Sequence, residues 1–143
     1  MTGVEEKGRV AWRRETVRPA AEMGRVIDDV AAAMDAAGYP ARDVFAVRLA
    51  LDEAVANAVK HGHLGDASKP VRVRYRVGAR RTLAEVEDQG PGFDPAGVPD
   101  PTAEENLGRP SGRGLFLMRA YLTWCRHSGR GNRVTLCKHR SPA

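Results

Sequence analysis

The sequence predicts an α+β fold, a two-layer sandwich in which helices cover one face of a mixed, mainly antiparallel sheet. Three observations carry this. Residues 71–77 alternate strictly (Val-Arg-Val-Arg-Tyr-Arg-Val), and residues 82–87 form a second β-rich run after a short turn, so the two read as a hairpin. Two long stretches ahead of it, 20–37 and 44–61, space their apolar residues at helical period. Two more strand-like runs, 122–127 and 132–139, close the chain. Helix, helix, hairpin gives a helical layer on a largely antiparallel sheet, with the arginine-bearing face of the hairpin turned to solvent or a partner.

A chain of 143 residues with 42% hydrophobic content is of ordinary single-domain size and can bury a core. We read residues 10–140 as that domain, 1–9 as a flexible terminus and 141–143 as a tail. No apolar run reaches bilayer-spanning length and the first nine residues are mostly polar or charged, so the expectation is a cytoplasmic protein with no membrane contact. Cys125 and Cys137 are too few for a disulfide framework and are expected to be reduced. The formal charge of +5 invites a nucleic-acid reading. The arginines are dispersed, however, and direct nucleic-acid binding is not expected; a basic exterior would rather help a negatively charged protein partner or nucleotide approach.

In chain order, residues 10–17 read as the first strand, stopped by Pro19. The helix 20–37 ends at Gly38, where a left-handed cap is expected. Pro40 stands close to the start of the central helix 44–61, which contains no Gly or Pro. Val44, Val47, Leu51, Ala54, Val55 and Ala58 fall on one apolar face of that helix. Glu53, Asn57 and His61 recur every fourth residue on a separate stripe, among Ala46 and Ala50, with Lys60 at its edge. A loop at 62–70 leads into the hairpin. Residues 89–112 are irregular and rich in Pro and Gly; so long a segment in a small domain reads as a mobile lid, about 93–111. A short helix at 114–121 and the last two strands, joined by a turn at 128–131, complete the chain.

The chemistry lies at three places. Asn57 offers a neutral amide oxygen to a hard cation such as Mg²⁺, which takes few protein ligands and fills its shell with phosphate oxygens and water. Glu53, one turn earlier, would then stand near a γ-phosphate and could accept a proton from an attacking hydroxyl. Asp88 closes a strand just before Gly90 and Gly92; its carboxylate only accepts hydrogen bonds, which suits the exocyclic amine of adenine and rejects the guanine carbonyl. Gly112 and Gly114 precede a helix, whose free N–H groups favour phosphate. Taken singly, each has a plain reading as a surface stripe, a turn or a helix entry.

Together and in this order, Glu53-x-x-x-Asn57-Ala-x-Lys60-His61, Asp88-x-Gly90-x-Gly92-Phe93 and Gly112-Arg-Gly114-Leu115-x-Leu-Met118 resemble the Bergerat nucleotide-binding motifs of the GHKL superfamily of ATPases and kinases. The closing Asn132-Arg-Val-Thr135-Leu resembles that superfamily's last strand. The short chain, and the sequence around Glu53, look like the anti-sigma factor serine kinases of the RsbW and SpoIIAB type. The resemblance implies ATP and Mg²⁺ as cofactors, Asn57 as the Mg²⁺ ligand, Glu53 as catalytic base and Asp88 as the reader of adenine. It further implies that Gly90, Gly92, Gly112, Gly114 and Leu115 shape the phosphate pocket and lid hinges, that Lys60 reaches phosphate, and that Thr135 supports the base. The partners implied are a STAS-domain anti-sigma factor antagonist, phosphorylated on Ser or Thr, a sigma factor held inactive, and a second copy in a homodimer. The alternative is a non-catalytic module of the same fold that senses ATP or ADP and sequesters a partner without transferring phosphate. A catalytic domain detached from a sensor histidine kinase is disfavoured, because the helix 20–37 carries no His.

Overall fold

The computed structural model describes residues 5–6, 9–62, 69–89, 120–128 and 132–142. Near the N-terminus, β1 (Glu5–Glu6) pairs with β2 (Arg9–Val10), so part of the segment expected to be loose is laddered. The first strand of the main sheet, β3 (Arg13–Val17), is shorter than the 10–17 run suggests. Helix α1 (Pro19–Ala36) starts with Pro19 in its first turn, where a missing N–H costs nothing, and Glu22 Oε1 accepts the Arg18 N–H at 3.1 Å. It ends in a Schellman motif: Tyr39 N–H donates to Met34 O, Gly38 N–H donates to Asp35 O, and Gly38 takes φ +86°, open to glycine without strain.

Helix α2 (Ala41–Asn57) begins three residues earlier than its apolar periodicity suggests, because extended Pro40 caps it directly and Asp43 occupies its first turn. It does not run on to His61 as an α-helix. From Ala58 to Gly62 the chain widens into a single π turn, a feature often found at functional sites. The expected apolar face of α2 is buried throughout, and Ala46 and Ala50, at the head of the polar stripe, are buried as well. Glu53 and Asn57 further along that stripe are half-buried.

The remaining strands are β4 (Val71–Val77), β5 (Arg81–Glu87), β6 (Trp124–Ser128) and β7 (Arg133–His139). They join β3 in one five-stranded sheet of order β3-β4-β5-β7-β6, and all four pairings are antiparallel. The register sorts side chains into two faces. Val73, Val86 and Val134 form a cross-strand row toward the helices, beside a second row of Tyr75, Ala84 and Leu136. These pack with Met34, Val47 and Leu51 into one core between the layers. Arg74, Glu85, Thr135 and Arg126 form a row on the outer face. Neither Cys125 nor Cys137 is in a disulfide, and burial raises the pKa of Cys137. The helix expected at 114–121 is described only at Ala120 and Tyr121, which are helical; the lid lies outside the described residues.

Candidate functional site

Asp43, in the first turn of α2, is fully buried and accepts hydrogen bonds from the Ser141 N–H (2.7 Å) and hydroxyl (2.6 Å), with Lys138 Nζ 3.5 Å away. Burial, the largest influence on this carboxyl, pushes its pKa up; the Ser141 bonds and the Lys138 charge outweigh it and hold the group below its ordinary range. Lys138 and Ser141 belong to the end of β7 and the chain just after it, so the start of α2 is pinned there. The helix then packs along β5 and β7. Its 17 residues match the length of a seven-residue strand, each about 24 Å. The far end of α2 therefore arrives at the end of the sheet where β5 gives way to Asp88 and β7 begins. By that match of lengths, Glu53 and Asn57 point toward the end of the sheet that carries Asp88, although more than thirty residues separate them in sequence.

Alternation along β5 places Ala84 and Val86 on the helix side and carries Asp88 to that side too. Asp88 is 6% exposed. Its backbone is held from both directions by Asn132: the Asp88 N–H donates to Asn132 O at 2.9 Å, and Asn132 Nδ2 donates to Asp88 O at 3.1 Å. The first bond extends the β5–β7 ladder past Glu87 and Arg133; the second adds a side-chain clamp. The Asp88 backbone is thus fixed before any ligand arrives. Asn132 was not among the expected site residues. It stands immediately before the last strand, and only the register of β5 on β7 reveals that it faces Asp88.

Glu53 and Asn57 lie one turn apart in the last turns of α2, both half-buried, and Lys60 follows in the π turn with its side chain exposed. The donor chemistry here fits Mg²⁺ brought by a nucleotide: one amide oxygen is available from Asn57. Among the described residues no three His, Cys, Asp or Glu side chains cluster to hold a metal unaided. Gly90, Gly92, Gly112, Gly114 and Leu115 lie outside the described residues.

Thr135 is not brought to this place. Its hydroxyl donates to Glu85 Oε2 at 3.0 Å on the outer face of the sheet, where Arg74 also engages both Glu85 oxygens at 2.9 and 3.0 Å. Strand parity is the reason. Asn132 sits opposite Asp88, three residues before Thr135, and Thr135 in register with Glu85 points to the other side.

Set beside known proteins, the chain is similar to the serine-protein kinase RsbW of Bacillus licheniformis, at 33% identity over 91 residues, which is 59% of this chain. The matched part spans 57% of that relative's length. Among the described residues no helix is long and apolar enough to cross a membrane. Both helices, strands β4 to β6, nearly all of β7 and the clamped aspartate fall within residues 16–138, the span matched by the model of the histidine kinase-like ATPase domain, and the chain belongs to that family.

Proposed function

We propose that this protein is an ATP-dependent serine/threonine protein kinase that acts as an anti-sigma factor. Membership of an ATPase family gives ATP as the nucleotide. The similarity to a protein named as a serine-protein kinase supports transfer to a hydroxyl rather than to histidine. What supports the reading is that α2, anchored at its start and packed along β5 and β7, runs its half-buried Glu53–Asn57 turn toward the end of the sheet that carries the buried, clamped Asp88.

In this reading Asp88 accepts the exocyclic amine of adenine, and Asn57 is the protein ligand to Mg²⁺, with Lys60 as a phosphate contact. Mg²⁺ when bound neutralises charge on the β- and γ-phosphate oxygens. Glu53 accepts the proton of the attacking Ser or Thr hydroxyl as its oxygen bonds to the γ-phosphorus. The bond from that phosphorus to the β–γ bridging oxygen breaks, and ADP leaves. Gly90, Gly92, Gly112, Gly114 and Leu115 shape the phosphate pocket and lid. The acceptor is a STAS-domain anti-sigma factor antagonist, on which the new phosphate introduces charge at the interface and releases the kinase to hold a sigma factor. We place the protein in the cytoplasm, as a homodimer.

The test is transfer of labelled γ-phosphate from ATP to purified STAS-domain proteins of the same genome, with Glu53→Gln beside the wild type. Label on one antagonist, lost in the variant, is the expected outcome. MgATP binding without label on any of them would leave the nucleotide-gated binder as the better reading.

A further inference from the structure

The sheet face turned away from the helices lies opposite the side that Asp88 takes, and its composition is far from that of an ordinary solvated surface. Among the described residues it carries Arg14, Arg72, Arg74, Arg76, Arg81, Arg126 and Arg133 against Glu85 and Glu87, seven cations to two anions and a net charge of +5. Residues 19–62, which supply the opposite layer, hold seven acidic residues against four basic ones, a net charge of −3. The molecule is thus electrically polarised from one layer to the other.

We propose that this outer face is a docking surface for an acidic segment of a partner protein. A cleft of about 470 Å³ runs over it, lined among others by Arg14, Arg72, Arg74, Arg133, Glu85 and Glu87. Both carboxylates are already neutralised: Glu85 by Arg74 and the Thr135 hydroxyl, Glu87 by Arg72 at 3.3 Å and Arg133 at 3.9 Å. An incoming carboxylate therefore meets guanidinium groups that outnumber these two carboxylates, among them the exposed Arg14 and Arg72, whose side chain is 68% exposed even while it reaches Glu87. Two tryptophans hold further guanidinium groups in place: Arg74 and Arg76 lie 4.3 and 5.1 Å from the Trp12 ring, and Arg126 lies 5.1 Å from Trp124. Stacking holds a guanidinium in place and so reduces the freedom it loses on pairing.

Charge also selects among occupants. Two copies meeting through this face would set +5 against +5. The face of one copy against the acidic helices of another would be a head-to-tail contact, which does not close into a dimer. For single-stranded nucleic acid the two glutamates interrupt a phosphate track, and half-buried tryptophan rings covered by guanidinium are poor platforms for bases.

The experiment is fluorescence anisotropy with a labelled polyglutamate peptide on the full chain. It compares the wild type, the outer-face double variant Arg14→Ser/Arg72→Ser, and a control, Arg48→Ser/Arg80→Ser, that removes two positive charges elsewhere. Thermal melts establish that all three fold. The expected result is saturable binding that weakens about tenfold in the outer-face variant and changes little in the control, with Asp88→Asn binding the peptide as the wild type does. Asp88→Asn isolates this face from the nucleotide reading, which can fail without affecting it. The proposal is overturned by no binding, by equal loss in both double variants, or by tighter binding of a single-stranded oligonucleotide through the same arginines. It is equally overturned by a concentration-dependent oligomer that Arg14→Ser/Arg72→Ser abolishes.

Discussion

Asp88 owes its placement to a residue 44 positions away in sequence. Asn132 pairs with both backbone groups of Asp88, so its side chain matters to the site without supplying a contact to adenine in the proposed reading. Asn132→Ala removes one hydrogen bond, worth about 1 kcal/mol, and should weaken ATP binding about fivefold in calorimetry while leaving the preference for ATP over GTP in place. Glu53→Gln should behave differently. It keeps the size and polarity of the side chain, so ATP affinity should hold, while phosphoryl transfer falls by at least about a hundredfold. Both expectations separate a residue that positions or reacts from one that merely binds. The positions of Asp88 at the end of a strand and of Glu53 and Asn57 one helical turn apart were legible in the sequence, because their spacing expresses local geometry. Thr135 and Asn132 were not, since the face a residue takes on the last strand depends on how β7 pairs with β5, and no local pattern encodes that pairing.

At the level of elements, α2 is the spacer that sets the site, and its anchor is the buried contact of Asp43 with Ser141 and Lys138. Asp43→Asn should lower stability at neutral pH by about 2 kcal/mol in urea denaturation, because a charge-assisted acceptor is lost in a buried place. Its pH dependence has a definite sign. The folded-state pKa lies below the ordinary aspartate value of 3.8, so the stabilisation is fully present above that value and is lost as pH falls through the lower folded one. The difference between wild type and Asp43→Asn should therefore shrink in acid below 3.8. The hairpin was visible from the alternation of residues 71–77, and its observed strands differ from the expected ones by one residue at most. Helix α2 was visible from its apolar face, but its ends were displaced. Periodicity cannot see the polar first turn at Asp43, nor the π turn, which departs from the helical period itself.

For the whole molecule, the two layers share one core. Leu51 and Leu136 are fully buried, one on α2 and one on β7. Leu51→Ala should cost about 2–5 kcal/mol of stability and lower the melting temperature, with the nucleotide site losing affinity as α2 loosens over the sheet. The α+β class and the one-sided helical layer followed from periodicity alone, whereas the strand order β3-β4-β5-β7-β6, with β7 between β5 and β6, did not. That order carries Asn132 to Asp88, and the anchored α2 then points Glu53 and Asn57 toward the same end. The most direct measurement of this arrangement is calorimetric titration of MgATP into the wild type and Asp88→Asn, repeated with MgGTP. The expected result is ATP binding by the wild type, GTP weaker by about a hundredfold, and loss of that preference together with most of the affinity in the variant. Equal affinity of the two proteins for ATP would contradict the placement of the nucleotide at this end of the sheet.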